Sequence, residues 1–266
     1  MEEHNKMPEQ KKPFNKGPGG FNKGGFNRGK PGKFNRTPKS KAEFLKAREE
    51  RAKQQQIEDL ENWKPRTNLG LMVKTGKVKT IDEALKHKVL EPEIIDKLIS
   101  LNSDVLNIGQ AKGKFGGGKR RAWRQTQKKT SEGNVATFSC MAVVGDGKGY
   151  IGLGYGRAKE TLPARAKAIR KAKLNLRKIN RKCASFDCTC GEEHSVPYIV
   201  EGKCGSCKVK LMPAAQGTGL VIGDECKKIL RLAGVKDVYS VTNGKIRTTI
   251  NLAKACLNAL DKTVRE

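Results

Sequence analysis

Two apolar runs joined by a glycine-rich turn constrain the fold of this chain more than any other feature of its sequence. The first run covers residues 135–144, the turn reads Gly145-Asp-Gly-Lys-Gly149, and the second run covers residues 150–156. Aspartate and glycine supply the positive φ angles that a tight hairpin needs, so the two runs are predicted to pair as antiparallel strands. Glycine at every second position of the second run leaves one face of that strand bare. Something broad can therefore approach its backbone closely.

The segment after this hairpin is predicted to form a helix that begins near Glu160 and has an apolar and a basic face. The apolar residues recur at helical spacing and should pack on the sheet: Ile169, Ala172, Leu176 and Ile179. The cations are Arg165, Lys167, Arg170, Lys171, Lys173, Arg177 and Lys178. A hairpin backed by a cationic helix is typical of compact domains that bind structured RNA by shape and phosphate contact.

Three blocks of sequence, in a fixed order, carry a resemblance to a known family. The central block contains Thr130-Ser-Glu-Gly133, Ala142-Val-Val-Gly145, Gly149-Tyr-Ile-Gly-Leu-Gly154, Ala158-Lys-Glu160 and Ala172-Lys-Leu-Asn175. The last block contains Gly202-Lys-Cys-Gly-Ser206, Leu211-Met-Pro-Ala214, Gly217-Thr-Gly-Leu-Val221, Ala233-Gly-Val-Lys-Asp-Val238 and Asn251-Leu-Ala-Lys-Ala255. The first block contains Trp63-Lys-Pro-Arg-Thr-Asn-Leu-Gly70 and Ile81-Asp-Glu-Ala-Leu85. Together they resemble the small-subunit ribosomal protein five family, in its archaeal and eukaryotic branch.

The resemblance implies an α+β fold: a double-stranded-RNA-binding-like α/β domain followed by a small two-layer domain that contains a βαβ unit. It implies a structural constituent of the small ribosomal subunit that binds rRNA and supports translational accuracy and mRNA passage. The implied partners are small-subunit rRNA and neighbouring small-subunit ribosomal proteins, with mRNA nearby. The alternative is a free RNA-binding or RNA-chaperone protein that uses the same domain, and an ATP-dependent RNA enzyme is a more distant third.

The charge of the chain indicates a polyanionic partner independently of the resemblance. Lysine and arginine number 55 against 27 acidic residues, which gives a formal net charge of +28. This surplus exceeds what solubility requires. No apolar run approaches the roughly 18 residues that span a bilayer, and the N-terminus lacks an apolar signal core. We therefore expect a cytoplasmic protein that does not insert into membranes.

Composition divides the chain into five regions. We expect a disordered basic tail over residues 1–40, a helical lead-in over 41–101 and the double-stranded-RNA-binding-like domain over 102–180. A cysteine-rich connector over 181–206 and the C-terminal α/β domain over 207–266 complete the chain. The tail repeats a phenylalanine-led unit, as in Phe14-Asn-Lys-Gly17, and has too few apolar residues to offset its chain entropy. It is either a segment that stacks on unpaired bases or a solubilising extension.

Within the lead-in, long unbranched residues without glycine or proline predict a helix over 41–63. Short helices are predicted over residues 69–74, 80–87 and 91–101, with Thr80 placed to cap the second. Pro92 suits the first turn of the third.

A long basic loop is predicted between residues 105 and 130. It follows a predicted strand at 105–108 and contains eight cations without an acidic residue among them. Arginine binds phosphate bidentately and Trp123 offers a stacking surface, so the loop is predicted to contact rRNA. The predicted RNA-binding residues, from the loop and the neighbouring elements, are Lys112, Lys114, Lys119, Arg120, Arg121, Trp123, Arg124, Lys128, Lys129, Arg157, Lys159, Arg170 and Arg177.

Two glycine patterns resemble nucleotide-binding motifs but lack the context these require. The run from Gly113 to Lys119 nearly spells a P-loop, yet Arg120 stands where a magnesium-binding serine or threonine belongs. The run Gly147-x-Gly149-x-x-Gly152 matches a dinucleotide fingerprint, but its last glycine falls in a predicted strand rather than opening a helix. No catalytic triad or carboxylate pair is recognisable either, so no enzyme activity is predicted.

Four metal-ligand residues cluster in the connector. Cys183, Cys188, Cys190 and His194 have the spacing C-x4-C-x-C-x3-H, and four such ligands close a tetrahedral site for one Zn²⁺. The alternative is reduced thiols in a loop, because a cytosolic chain should not hold disulfides. Cys204 and Cys207 form a C-x-x-C pair, and either of them could replace His194 as the fourth ligand.

The C-terminal region is predicted to form a small α/β layer. Residues 207–212 alternate like a strand, and a helix should begin at Gly223-Asp-Glu225 and end at Ala233-Gly234. Strands over 235–241 and 245–249 are predicted to pair across Thr242-Asn-Gly244. A last helix over 249–260 should cover the sheet with its apolar face.

Overall fold

The computed structural model describes residues 43, 47, 50, 54, 58, 60–111 and 120–264. The predicted tail over 1–40 and the centre of the basic loop, 112–119, lie outside the described residues. The chain divides into two units, residues 1–53 and 54–266. The described residues of the first unit, Glu43, Ala47 and Glu50, are helical, and all elements numbered below lie in the second unit.

The second unit contains six helices and nine strands in its described part. The helices are α1 (Asn68–Lys74), α2 (Ile81–Leu85), α3 (Pro92–Leu98), α4 (Thr161–Leu174), α5 (Asp224–Ala233) and α6 (Thr249–Asp261). The strands are β1 (Asn102–Leu106), β2 (Trp123–Thr130), β3 (Gly133–Gly145), β4 (Tyr150–Ala158), β5 (Leu176–Lys178), β6 (Val200–Cys204), β7 (Cys207–Pro213), β8 (Leu220–Val221) and β9 (Val238–Asn243). The predicted α+β class is confirmed. No described helix has the length and apolar character needed to cross a membrane.

The first sheet is built on the long strand β3. Its C-terminal half pairs with β1 and its N-terminal half with β2, so β1 and β2 lie end to end along one edge. The predicted hairpin of β3 and β4 is confirmed, with antiparallel pairing from Phe138 opposite Ala158 to Gly145 opposite Ile151. The predicted basic loop, by contrast, is a loop only as far as Ala122. From Trp123 onward it is strand β2, because β3 offers it eight paired positions.

The bare face of β4 is covered by α4. A Cβ atom added at Gly152, Gly154 or Gly156 would run into the α4 backbone at Ala172, Ala168 and Ala164 respectively. These three alanines are completely buried. The predicted close approach is therefore made by the next helix of the same chain, and small residues on both sides allow it.

The prediction for the helix faces needs two corrections. Ile169 is only partly buried, because the alanine stripe rather than Ile169 faces the sheet. The helix also ends at Leu174, so Leu176 and Arg177 belong to β5 and pair with Gly152 and Ile151 of β4. Helical spacing of cations extends beyond Leu174 in the sequence, but the free edge of β4 captures the chain as a strand.

The helices α1, α2 and α3 pack around a small core against the first domain. This core contains Ile94, Ile95 and Leu176. Asp82 of α2 accepts hydrogen bonds from Tyr150 (2.7 Å) and Lys178 (2.8 Å), and the bond from Lys178 holds the pKa of that carboxyl below its ordinary value. Thr80 is the N-cap of α2 as predicted, although its side chain makes no capping hydrogen bond.

The second sheet has the strand order β6-β7-β9-β8, with α5 and α6 packed on one of its faces. Strand β8 runs parallel to β9, which completes a βαβ unit through α5. Two predictions are wrong here. Residues 245–248 do not form a strand, because β7 and β8 already occupy both edges of β9. Strand β6 begins at Val200, so the end of the predicted connector belongs to this sheet.

The two domains share one hydrophobic core. Met141 and Val143 of β3 join the same buried cluster as Ile229 and Leu230 of α5. Polar contacts cross the same boundary: the Gly147 amide donates to the carbonyl of Leu232 at 2.9 Å, and the Asn107 amide donates to Glu225 Oε2 at 2.7 Å. The domains are therefore packed into one body rather than tethered by the connector.

Candidate metal centre and nucleic-acid interface

The connector folds back on itself around the predicted metal ligands. Lys182 and Ser195 exchange backbone hydrogen bonds of 3.0 and 3.3 Å, which close the segment between them into a loop. Gly191 adopts a φ of 67°, a left-handed conformation that suits glycine and turns the chain after Cys190. We refer to residues 183–194 as the knuckle.

The knuckle brings all four predicted ligands together. One ligand atom from each of Cys183, Cys188, Cys190 and His194 lies within 4.8 Å of every other. Cys188 Sγ is 3.3 Å from Cys190 Sγ and 3.6 Å from His194 Nε2. In a tetrahedral zinc site with bonds of about 2.0 to 2.3 Å, ligand atoms are separated by about 3.3 to 3.8 Å. The donor set and its spacing therefore fit Zn²⁺.

The alternative ligands point elsewhere. Cys204 and Cys207 face each other across the turn between β6 and β7, and neither belongs to the cluster. Cys207 is completely buried, and its Sγ lies 3.1 Å from the carbonyl oxygen of Lys245. Of the candidates left open by the sequence, His194 is the one that the fold directs toward the three thiols.

Hydrogen bonding favours a thiolate at one cysteine of the knuckle. Backbone N–H groups of Cys190 and Gln216 lower the pKa of the Cys188 thiol to about 6. At Cys190, the backbone N–H of Glu192 acts to lower the pKa, but the adjacent Cys188 and Cys183 sulfurs oppose it and raise the pKa to about 11. Crowding of sulfurs that repel one another as anions is the condition that a bound cation relieves.

A carboxylate behind His194 completes the arrangement, and no sequence pattern indicated it. His194 Nδ1 lies 2.9 Å from Asp237 Oδ2, both side chains being buried, although the angle departs from a well-aligned hydrogen bond. The other oxygen of Asp237 accepts from the Gly219 amide at 2.8 Å. A carboxylate that orients a histidine toward a metal is the usual outer partner in zinc proteins. Asp237 lies 43 positions after His194, so no local spacing could reveal the pair.

The knuckle is anchored to the second domain through the same residues. The His194 carbonyl accepts from the amides of Lys236 (2.8 Å) and Asp237 (3.2 Å). The hydroxyl of buried Ser195 donates to the Asp237 carbonyl at 2.6 Å and accepts from the Ala214 amide at 3.2 Å. On the other side, Arg181 donates to carbonyls at both ends of the domain boundary, Lys148 (3.0 Å) and Gly234 (3.1 Å). The metal-ligand loop therefore lies against the boundary between the two domains.

The predicted RNA-binding residues divide between two faces of the first sheet. Arg124 and Arg157 lie on either side of Ser139 in register, so their side chains share the face opposite α4. Lys128 lies on that same face, and Arg157 is oriented by a 3.0 Å hydrogen bond to the hydroxyl of Thr137. All three cations are exposed.

Trp123 and Lys129 lie on the α4 side of the sheet. Trp123 lines a groove of about 400 Å³ together with Arg121 and the glutamines 110, 125 and 127. Its side chain is 44% exposed, which leaves a ring surface open for stacking. Lys159 and Arg170 are also exposed, at the end of β4 and on α4 respectively.

Two groups of predicted residues do not join these surfaces. Arg177 lies on β5 rather than a helix, and its guanidinium contacts Asp261 of α6 at 3.2 Å. Lys112, Lys114 and Lys119 lie outside the described residues. Gly152 lies within β4 beneath α4, and no helix begins there, so the apparent dinucleotide motif does not form a phosphate-binding turn.

Comparison with known proteins gives consistent matches over most of the chain. Residues 122–180 match the family model "Ribosomal protein S5, N-terminal domain", and residues 202–265 match "Ribosomal protein S5, C-terminal domain". The small ribosomal subunit protein uS5 of Nanoarchaeum equitans is 46% identical over 207 residues, covering 77% of this chain and 89% of that protein. The uS5 proteins of Pyrobaculum islandicum and Aeropyrum pernix are each 45% identical over 210 residues, covering 78% of this chain and 96% and 89% of those proteins.

Proposed function

The chain belongs to the ribosomal protein S5 family and is a structural constituent of the small subunit of the cytoplasmic ribosome, and on this basis we propose that it binds small-subunit rRNA and supports translational accuracy and mRNA passage. Its partners are rRNA and neighbouring small-subunit proteins, and mRNA passes nearby. The residues proposed to contact rRNA are Arg120, Arg121, Trp123, Arg124, Lys128, Lys129, Arg157, Lys159 and Arg170, with Lys112, Lys114 and Lys119 from the adjoining loop.

The observation that supports rRNA binding most directly is the exposed, cation-rich hairpin of β2 and β3. Seven of the eight β2 side chains are exposed, so this strand is held by backbone pairing rather than by burial. A hydrated protein surface gains little from such an extension, but a polyanion that neutralises Arg124, Lys128 and Arg157 would stabilise it. Shape and phosphate recognition of this kind suits helical RNA, whose deep major groove hides the base edges.

Removal of cations from this face should weaken RNA binding in a salt-dependent way. Changing Lys128, Arg157 and Lys159 together to alanine should lower affinity for a small-subunit rRNA fragment. It should also flatten the plot of log affinity against log salt by about 0.7 to 0.9 for each phosphate that the protein no longer neutralises. Binding would be measured by fluorescence anisotropy at several salt concentrations.

The matched control removes the same charge from another surface. Lys203, Lys208 and Lys236 are exposed on the second domain, and their triple alanine variant should keep the original salt slope. Equal slopes for the two triple variants would contradict the proposed interface.

Stable incorporation into the subunit separates a ribosomal constituent from a free RNA chaperone. The full chain should sediment with small subunits at one copy per particle in sucrose gradients and remain there under high salt. A chaperone would bind transiently and return to the top of the gradient.

We further propose that the knuckle binds one structural Zn²⁺ through Cys183, Cys188, Cys190 and His194. The support is the convergence of three thiols and a buried imidazole nitrogen within 4.8 Å, with Asp237 behind the imidazole. The ion would hold together a loop that has few apolar residues of its own. Because the loop packs on the second domain through Ser195 and on the boundary through Arg181, the metal would stabilise the junction of the domains.

Asp237 gives a test of this assignment that leaves all four ligands intact. Asp237→Asn keeps an oxygen for the Gly219 amide but removes the charge behind His194, so Zn²⁺ affinity should fall by about 10- to 100-fold. Competition with a chromophoric chelator would measure this. Asp224→Asn, at a carboxylate that is 93% exposed, is the control and should leave the affinity unchanged. Equal affinities for both variants would rule out Asp237 as the outer partner.

A further inference from the structure

A cavity between the two domains is lined by three arginines from separate parts of the chain. It has a volume of about 360 Å³ and lies between the segment after β1, the start of β2 and the start of α6. Arg120 and Arg124 enter it from the first domain, and Arg247 enters it from the second. We call this cavity the arginine pocket.

The arginines of the pocket are not neutralised by the protein. No acidic side chain lines the cavity, and within the described part of the chain none of the three arginines has a carboxylate partner. Arg120 is held in place because its Nη1 donates to the carbonyl of Arg247 at 3.0 Å. Arg124 and Arg247 are exposed, so their guanidinium groups are available to a ligand. Three like charges converging on one concavity repel each other unless an anion lies between them.

The backbone beside the pocket has a compatible charge. Thr248 is the N-cap of α6, its side chain makes no capping hydrogen bond, and the first turn of the helix contains no acidic residue. The partial positive charge of this helix start adds to that of the arginines. The inference rests on the arginines, and the helix only contributes a field of the same sign.

We propose that the arginine pocket binds a backbone phosphate of rRNA and thereby makes the second domain part of the RNA-binding surface. This proposal rests on the rRNA-binding function proposed above and extends it to Arg247, which no sequence pattern indicated. Phosphate is the expected ligand because a guanidinium donates two parallel hydrogen bonds to its oxygens, and arginines from both domains can act on one group. One phosphate would thus connect the domains on the side away from the knuckle.

Single and double substitutions test whether the two domains share one phosphate. Arg247→Ala should weaken binding of the full chain to a small-subunit rRNA fragment by about 10-fold or more, as expected when a charge-assisted hydrogen bond is removed. The salt slope should fall by about 0.7 to 0.9. Arg124→Ala should do the same, and the double variant should be weakened by less than the product of the two effects, because both side chains act on one ligand. Arg247→Lys should restore the salt slope but only part of the affinity.

Arg231→Ala is the matched control. This exposed arginine lies on α5 outside the pocket, so its removal should leave affinity and slope close to those of the unmodified chain. If Arg247→Ala behaves like Arg231→Ala while Arg124→Ala weakens binding, the shared pocket is wrong and the rRNA interface of the first domain stands. If neither Arg124→Ala nor Arg247→Ala has an effect, while substitution of Lys128, Arg157 and Lys159 also has none, both proposals fail.

A free anion is the other source of the same chemistry. Inorganic phosphate, titrated at constant ionic strength, should displace the rRNA fragment only at concentrations far above those of the RNA. Displacement by millimolar phosphate that disappears in Arg247→Ala would identify a site for a free anion and overturn the assignment to the RNA backbone.

Discussion

Replacing Gly154 with alanine should lower the free energy of unfolding by at least about 3 kcal/mol, near the upper end of what overpacking costs. The added Cβ would press on the Ala168 carbonyl and the Ala172 amide, which are helix backbone and cannot rotate away. Helix α4 would have to lift from β4 along its whole alanine stripe. Urea denaturation followed by circular dichroism would measure the destabilisation.

The control for this substitution is Gly223→Ala. A Cβ at Gly223 meets nothing within 4 Å, and its φ of −60° is open to any residue. This variant should change stability by no more than about 1 kcal/mol, since it alters only a helix cap. Comparable denaturation midpoints for the two glycine variants would mean that α4 does not lie directly on the β4 backbone.

Cys188→Ser should reduce the zinc content of the purified chain from about one ion to nearly none, because a closed four-ligand site loses its central thiolate. Apparent binding free energies of structural zinc are about 10 to 16 kcal/mol in small zinc peptides at neutral pH, so the effect on the knuckle should be large. Hydrogen exchange should accelerate within residues 183–194 and at Ser195, while the two sheets keep their protection. Metal analysis and exchange measured by mass spectrometry would report both effects.

Cys204→Ser is the matched control, because Cys204 is half-buried and outside the ligand cluster. It should retain the metal, whereas a zinc content as low as that of Cys188→Ser would move the fourth ligand to the second sheet. Zinc affinity of the unmodified chain should also fall as pH is lowered, because protons compete with the ion for the thiolates. An affinity that stayed constant on acidification would argue against cysteine ligation.

Local chemistry in the sequence was enough to predict the elements that are stabilised by their own residues. The turn around Gly147, the start of α5 at Gly223 and its end at Gly234 were all predicted correctly, because each depends on backbone preferences of adjacent residues. The alternating glycines of β4 also predicted a close approach. Their occupant is α4, and the alanine stripe at Ala164, Ala168 and Ala172 was the available signal for it.

The incorrect predictions share a cause, which is that pairing partners lie far away in sequence. Strand β2 consists mostly of glutamine and lysine, and only the length of β3 makes it a strand. Residues after Gly244 were predicted to pair with β9, but β8 occupies that edge through a contact with Leu220. The pairs His194–Asp237 and Arg124–Arg247 likewise depend on how the domains meet, which no spacing within either domain encodes.

The core shared by the two domains imposes an order on synthesis of the chain. Met141 and Val143 are covered by α5, whose last residue, Ala233, is made well after strand β5 is complete at Lys178. At roughly 5 to 20 residues per second, the intervening segment takes several seconds to be translated. During that interval one face of the first sheet has no partner from its own chain. The nascent protein therefore passes through a stage in which its RNA-binding half is formed but sticky, and premature termination before residue 233 would leave a product prone to aggregation.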